Sequence, residues 1–112
     1  MESSVQDNIR SQMRKGLVEY CILSMLARKE SYVSEIIEEL KDADMIVVEG
    51  TLYPLLIRAK NQGLLSYRWQ ESPQGPPRKY YFITEEGRKV LACMDGIWTG
   101  ILNSVDKIRR GE

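Results

Sequence analysis

The stretch Glu49–Leu65, EGTLYPLLIRAKNQGLL, decides how the rest of this 112-residue chain is read. Leu52, Leu55, Leu56 and Ala59 recur at the three- and four-residue spacing of one helical face. Pro54 stands among them, and Gly63 followed by two leucines closes the run. Proline has no N–H for an interior helical bond, whereas the N–H groups of a first turn have no intrahelical partner. With Gly50 or Thr51 as the cap, Pro54 falls in that first turn, so the proline is expected to mark a helix start. Gly63 suits the left-handed residue just past a helix end. The outward positions of this helix are then Thr51, Tyr53, Pro54, Ile57, Arg58 and Asn61.

Beyond Gly63 the period changes from helical to two. Leu65, Tyr67 and Trp69 alternate with Ser66, Arg68 and Gln70, SPQGPP (Ser72–Pro77) is a turn cluster, and RKYYFI (Arg78–Ile83) is a second β-rich run. This reads as a hairpin with a stiff tip. Thr84 is placed to cap a last helix with Glu85 and Glu86 at its positive end and Lys107, Arg109 and Arg110 at its negative end. That helix is expected to reach about Arg110.

Upstream, Val5, Ile9 and Met13 mark a short amphipathic helix opened by Ser3 or Ser4, and Gly16 loosens its junction with the next. Leu17–Leu26 is apolar enough for a largely buried helix. Ser31 is a plausible N-cap for a third, which presents Tyr32, Val33, Ile36, Ile37 and Leu40 on one face. Met45–Val48 fits a small strand or a linker. The resulting fold is mainly α with a two-stranded β wing: a winged helix-turn-helix in residues 1–83 and a long dimerisation helix in 84–112.

Composition narrows the function. Hydrophobic residues at 43% and charged residues at 29% are ordinary for one globular domain. The N-terminus MESSVQDNIRSQMRK is too polar for a secretory signal, and no apolar run approaches a membrane span, so a cytoplasmic protein without a membrane partner is expected. Cys21 and Cys93 each lie in an apolar helical pattern and read as buried, reduced thiols. There is no histidine, which removes the common zinc sites, Ser-His-Asp triads and imidazole acid–base chemistry. No phosphate-binding glycine motif is present. No catalytic residue, cofactor or metal is expected, and an enzyme is disfavoured.

The 16 basic and 16 acidic residues balance overall but not locally. Glu30–Glu49 holds seven acids and one base, whereas Gly50–Lys79 holds five bases and one acid. Local fields steer a polyanion. A helix-turn-helix sets its second helix in the major groove of double-stranded DNA. There Thr51 and Tyr53 can donate to phosphate, Arg58 to phosphate or guanine, and Pro54 can rest on a thymine methyl. In the hairpin, Arg68, Arg78 and Lys79 surround a Gly/Pro tip that brings backbone close to a duplex. Arg14 and Lys15, beside Gly16, are further candidates for phosphate contact. The competing reading is a winged-helix module that binds protein through its acidic helix and leaves DNA alone.

QMRKGLVEYCILSML, VVEGTLYPLLIRAKNQGLL, GPPRKYYFITEEG and the Trp-containing helix that follows closely resemble the PadR family of bacterial transcriptional regulators. The resemblance covers nearly the whole chain, and the single C-terminal helix is like that of the small subfamily. It implies a homodimeric winged-helix repressor on a partly palindromic operator, released by a small molecule. It also implies DNA contact by Thr51, Tyr53, Pro54 and Arg58 in the recognition helix and by Gly75, Pro76, Arg78 and Lys79 in the wing. The chain departs from the family at Tyr32-Val33-Ser34, where a Tyr-Gly-Tyr-like sequence is common, and at Ile57 and Ala59 of the recognition helix.

The last helix needs a partner on grounds of burial alone. Val90, Leu91, Met94, Ile97, Trp98, Ile101, Leu102, Val105 and Ile108 form a stripe too wide for one small domain to cover. Pairing with a second copy through residues 84–110 and the N-terminal helix would cover it. Trp98 then has two readings, with Met94, Ile101 and Met13 as neighbours in both. It either fills the dimer core or, as in the drug-binding relatives, lines a pore that takes a planar aromatic ligand.

Overall fold

A computed structural model describes residues 2–112. Seven elements follow in order: α1 (Ser3–Met13), α2 (Leu17–Arg28), α3 (Val33–Asp42), α4 (Glu49–Asn61), β1 (Leu65–Ser72), β2 (Gly75–Ile83) and α5 (Glu85–Arg110). The element order expected from sequence is the order observed.

The hairpin joins β1 and β2 antiparallel, from Leu65 opposite Ile83 to Trp69 opposite Lys79, with a register shift between Gln70 and Ser72 at the tip. Directly opposed residues share a face. One face therefore runs from buried Leu65, Tyr81 and Ile83 out to exposed Trp69. The other carries Arg68, Tyr80 and Arg78. Ser31 extends the sheet through one further bridge, its N–H donating to the Tyr81 carbonyl at 3.1 Å and its carbonyl accepting from Tyr81 at 2.9 Å.

Thirteen apolar residues close one core, with Ile22, Leu23, Met25 and Leu26 from α2, Ile36 and Leu40 from α3, Leu52, Leu56 and Ala59 from α4, and Leu65, Tyr81 and Ile83 from the hairpin; Val47 enters from the extended α3–α4 link. Burying each large aliphatic side chain contributes roughly 1.5–3 kcal/mol. The inward face of α4 is the one its leucine spacing specifies. The N-terminal part of α5 joins this body. Thr84 caps it by accepting from the Gly87 N–H at 3.0 Å, while its hydroxyl donates to the Gly63 carbonyl at 2.6 Å. Gly87 is buried because the Leu64 carbonyl lies where a Cβ would stand, 2.1 Å away.

Three local expectations are corrected. The proline does not mark the start of α4: the Val48 carbonyl already accepts from Thr51 and Leu52, each at 3.0 Å, so the helix begins at Glu49 and Pro54 sits inside it. Proline is tolerated there because the carbonyl it leaves unbonded belongs to Gly50, an exposed first-turn residue that water can reach. Ser31 is not the cap of α3; its backbone is committed to β2, and the Tyr32 N–H is met by the Glu35 carboxylate at 3.2 Å. Ser3 and Ser4 lie within α1, behind Glu2 at the cap position. Of the two readings of Met45–Val48, the linker is the one observed, an extended segment with no strand pairing. The left-handed ends do fall where expected or close by. Gly63 (φ +79°) terminates α4 with Leu64 N–H on the Ala59 carbonyl, and Asp44 (φ +59°) ends α3 the same way, with Met45 N–H on the Leu40 carbonyl.

α1 buries no residue, and along α5 only Gly87 is buried. Val5, Ile9, Met13, Ile97, Ile101, Leu102, Val105 and Ile108 are all exposed. Among the described residues, no helix is long and apolar enough to cross a membrane.

Candidate nucleic-acid interface

With Leu52, Leu56 and Ala59 turned inward, helical geometry carries Thr51, Tyr53, Pro54, Ile57 and Arg58 to the outer side of α4. Tyr53 is 43% exposed and Ile57 56%. Neither is spent on the core, so this face is available to a partner. No side chain caps α4, which leaves the positive end of the helix open.

Arg14, Lys15 and Thr51 converge. They line one cleft of about 360 Å³ between the α1–α2 junction and the start of α4, together with Glu19, Val48 and Leu55. Gly16, at φ +87°, makes the turn that brings the two bases back against α4. The same cleft holds a residue the sequence reading did not single out. Glu19, in the first turn of α2, forms an ion pair with Arg58 of α4, and its side chain is only 29% exposed. No motif announces this pair, because it joins two helices far apart in sequence.

The wing is arranged differently from its reading as a basic ring around the tip. Arg68 turns away to pair with Glu30, so it belongs to the base of the hairpin. Arg78 and Lys79, adjacent in β2, project to opposite faces. The Arg78 guanidinium lies 4.4 Å from the Tyr32 ring centroid, and Tyr32 in turn meets Tyr80 edge-on at 5.2 Å. Lys79 lies 4.4 Å from Tyr67 and 5.4 Å from Trp69, and Lys60 of α4 approaches Tyr67 from 5.6 Å. Each aromatic face attracts its cation by roughly 0.5–1 kcal/mol at such exposed positions, which orders the long side chains while leaving their charge outward. Gly75 and Pro76 are exposed at the tip. Burial raises the Tyr81 hydroxyl above the usual phenol range, with Tyr53 and Tyr67 adding to the shift.

The acidic helix is less free than its charge count implies. Arg28 pairs with Glu39, Lys29 with Glu35 at 3.7 Å, and Arg68 with Glu30.

A second site adjoins the cleft beside α4 across Arg14, which lines both. Met13, Trp98 and Ile101 line an open, mostly apolar groove of about 850 Å³ between α1 and α5, with Ile9, Leu17, Leu102 and Val105. Met94 does not join them; it packs against the core instead. Trp98 is half-buried and tilted against Tyr20, with centroids 6.3 Å apart. The Tyr20 hydroxyl donates to Asp95 at 2.5 Å, and that bond is the main reason its pKa is raised. Partial burial raises the Cys21 thiol as well, whereas Cys93 is exposed and not buried as its apolar pattern suggested, because it lies on the uncovered side of α5.

A helix-turn-helix whose second helix stands open beside a β-hairpin defines a winged-helix protein. Residues 22–93 match the transcriptional regulator PadR-like family, and the chain belongs to that family of regulators. It is 53% identical to a PadR-like transcription factor from Bacteroides fragilis, over 90% of this chain and 98% of that one, with a TM-score of 0.77. A PadR-family regulator from Eggerthella lenta is 32% identical over 98% of this chain and all of its own, with a TM-score of 0.84. A PadR-like regulator from Bacillus cereus is 36% identical over 91% of this chain and 100% of its own, with a TM-score of 0.79.

Proposed function

We propose that the chain is a cytoplasmic, sequence-specific transcriptional repressor that binds a pseudo-palindromic operator as a homodimer. In this reading residues 1–83 engage DNA and 84–112 pair the subunits, together with α1. Thr51, Tyr53, Pro54 and Arg58 meet the major groove, Arg14 and Lys15 flank it on phosphate, and Gly75, Pro76, Arg78 and Lys79 follow the backbone beside it. The observation that carries the reading is the exposed face of α4 set between two groups of bases, one at the α1–α2 turn and one on the wing. Pairing through α5 sets the two recognition helices about one DNA turn apart, roughly 34 Å. The groove at Trp98 would be closed over by the second subunit and take a planar aromatic effector. The protein-docking alternative is weaker, because three carboxylates on or beside α3 are already held by bases of the same chain.

Fluorescence anisotropy on duplexes from the protein's own upstream region tests the reading. Each phosphate neutralised contributes about −0.9 to the slope of log affinity against log salt. Arg78→Ala should weaken every duplex and flatten that slope by about one phosphate's share. A wild-type protein with no salt dependence and no sequence preference would remove DNA binding from consideration.

A further inference from the structure

The one acid in the cleft beside α4 sits where a phosphate-binding surface should repel it. Glu19 shares that cleft with Arg14, Lys15 and Thr51 and holds the guanidinium of Arg58. It is mostly covered, whereas the Arg58 side chain remains 56% exposed. The pair therefore leaves Arg58 open to an incoming duplex but not unpartnered.

We propose that Glu19 is a positioning residue that sets sequence discrimination by making Arg58 exchange partners on binding; this rests on the DNA-binding reading above. A phosphate arriving from an arbitrary sequence offers Arg58 another anion in place of the one it has. That exchange returns a bare carboxylate to the cleft and releases little net counterion atmosphere, so loose binding gains little from this arginine. A guanine edge takes two parallel N–H bonds from a guanidinium in one fixed geometry that no other base edge offers, whereas phosphate presents the same charge in every sequence. Glu19 thus suppresses the sequence-independent part of the Arg58 contribution more than the sequence-dependent part. The carboxylate also fixes where the guanidinium waits, between α2 and α4, before the duplex arrives.

The experiment compares two duplexes of about 30 base pairs, roughly three turns. One is of random sequence, and the other is enriched by the protein itself from a random pool. Glu19→Gln preserves shape and removes the charge. It should tighten binding to the random duplex about two- to fivefold, the range of one exposed ion pair. The salt slope on that duplex should steepen by about 0.9. The enriched duplex should change less than about twofold, so the specificity ratio falls. In an Arg58→Ala background, Glu19→Gln should shift both duplexes by the same factor, because only the plain repulsion between the carboxylate and phosphate is then left to remove. Glu49→Gln, an exposed acid in the first turn of α4, serves as the plain charge control. Equal tightening on both duplexes, a fall in the specificity ratio that persists without Arg58, or no change at all would each overturn the role given to Glu19. A wild-type protein that binds neither duplex overturns the DNA-binding reading instead, which is a separate result.

Discussion

Between Leu17 and Ile83, in the body of this chain, the leucines and isoleucines turn inward apart from Ile46 and Ile57. Ile36 and Leu52 are 0% exposed, Leu56 1% and Leu65 2%. In α1 and the distal part of α5 the same residue types turn outward, with Ile101 at 48%, Val105 at 46% and Ile108 at 76%. Both regions show clean helical periodicity, so pattern alone does not separate them. The difference is what lies opposite. α3 packs on β2, α4 on β1, and α2 on both β2 and α5. Asp95 and Trp98 still meet Tyr20 of α2; beyond them α5 outruns the body and has only the sparse cover of α1. At about 1.5 Å per residue its 26 residues span roughly 39 Å, longer than a core of this size can follow. The body completes itself, whereas the flanks leave an apolar surface uncovered.

The largest effect should come from breaking that second half of the comparison. Ile101→Glu combined with Val105→Glu puts two carboxylates per subunit into the proposed pairing surface. An uncompensated buried charge costs roughly 3–5 kcal/mol, and four of them across a dimer exceed the roughly 8 kcal/mol of a micromolar association. Analytical ultracentrifugation should show the wild type as a dimer and the variant as a monomer. Far-UV circular dichroism of the variant should remain helical, because neither side chain belongs to the core. A wild-type monomer would leave the outward stripe of α5 without its proposed partner.

A smaller effect is expected at the seam between the two regions. Gly87 sits where α5 leaves the hairpin, and a methyl group there would stand 2.1 Å from the Leu64 carbonyl and 2.7 Å from Ile83 Cγ1. That carbonyl cannot swing aside freely, since it accepts from the Thr84 N–H at 3.0 Å. Gly87→Ala should therefore cost about 3 kcal/mol despite its gain in helix propensity, as overpacking of a fixed site does. Gly96, on the same helix, has nothing within 4 Å of the place an added methyl would take, so Gly96→Ala should be neutral or add up to about 1 kcal/mol. Urea unfolding of both variants gives the contrast. Equal shifts would mean that α5 is not clamped at Gly87.

How much of this was legible beforehand follows the same division. The inward faces of α2, α3 and α4 and the hairpin alternation were readable, because burial imposes a period on the residues themselves. The cap at Thr84 and the left-handed Gly63 were readable because each follows from local chemistry. The proline misled for a physical reason: its rule concerns the bond it cannot make, and α4 satisfies the rule by leaving an exposed Gly50 carbonyl to water. Ser31 misled because a backbone bridge to Tyr81 outcompetes a hydroxyl cap, and the bridge depends on chain many residues away. At the site, exposure of Thr51, Tyr53, Pro54 and Arg58 followed from the helical face. Whether a base is paired did not. Arg68 with Glu30 and Arg58 with Glu19 arise from tertiary placement, which no count of charges contains, whereas the opposed faces of Arg78 and Lys79 were implicit in their adjacency on a strand.

The smallest expected effect lies wholly inside the body and so tests whether the body behaves alone. Asp44 ends α3 at φ +59°, a conformation that crowds the Cβ of a side chain against its own carbonyl and that glycine adopts freely. Its carboxylate also lies just past the negative end of α3. Asp44→Gly removes both penalties but gives the unfolded chain more freedom, which returns roughly 0.4–1 kcal/mol. The strain of a left-handed residue is of order 1–2 kcal/mol, lower for Asp, and the dipole contribution is about 0.3–1 kcal/mol. The balance favours the variant by about 0.5 kcal/mol. At the matching end of α4, Gly63→Ala should lose about 1 kcal/mol, although nothing lies within 4 Å of its added methyl, because there the whole cost is backbone. Both shifts, read as urea midpoints at constant slope, should be the same in the wild type and in the Ile101→Glu, Val105→Glu background. If Asp44→Gly changed stability only in the paired form, the end of α3 would have to be part of the association surface, and the line between body and flanks would move.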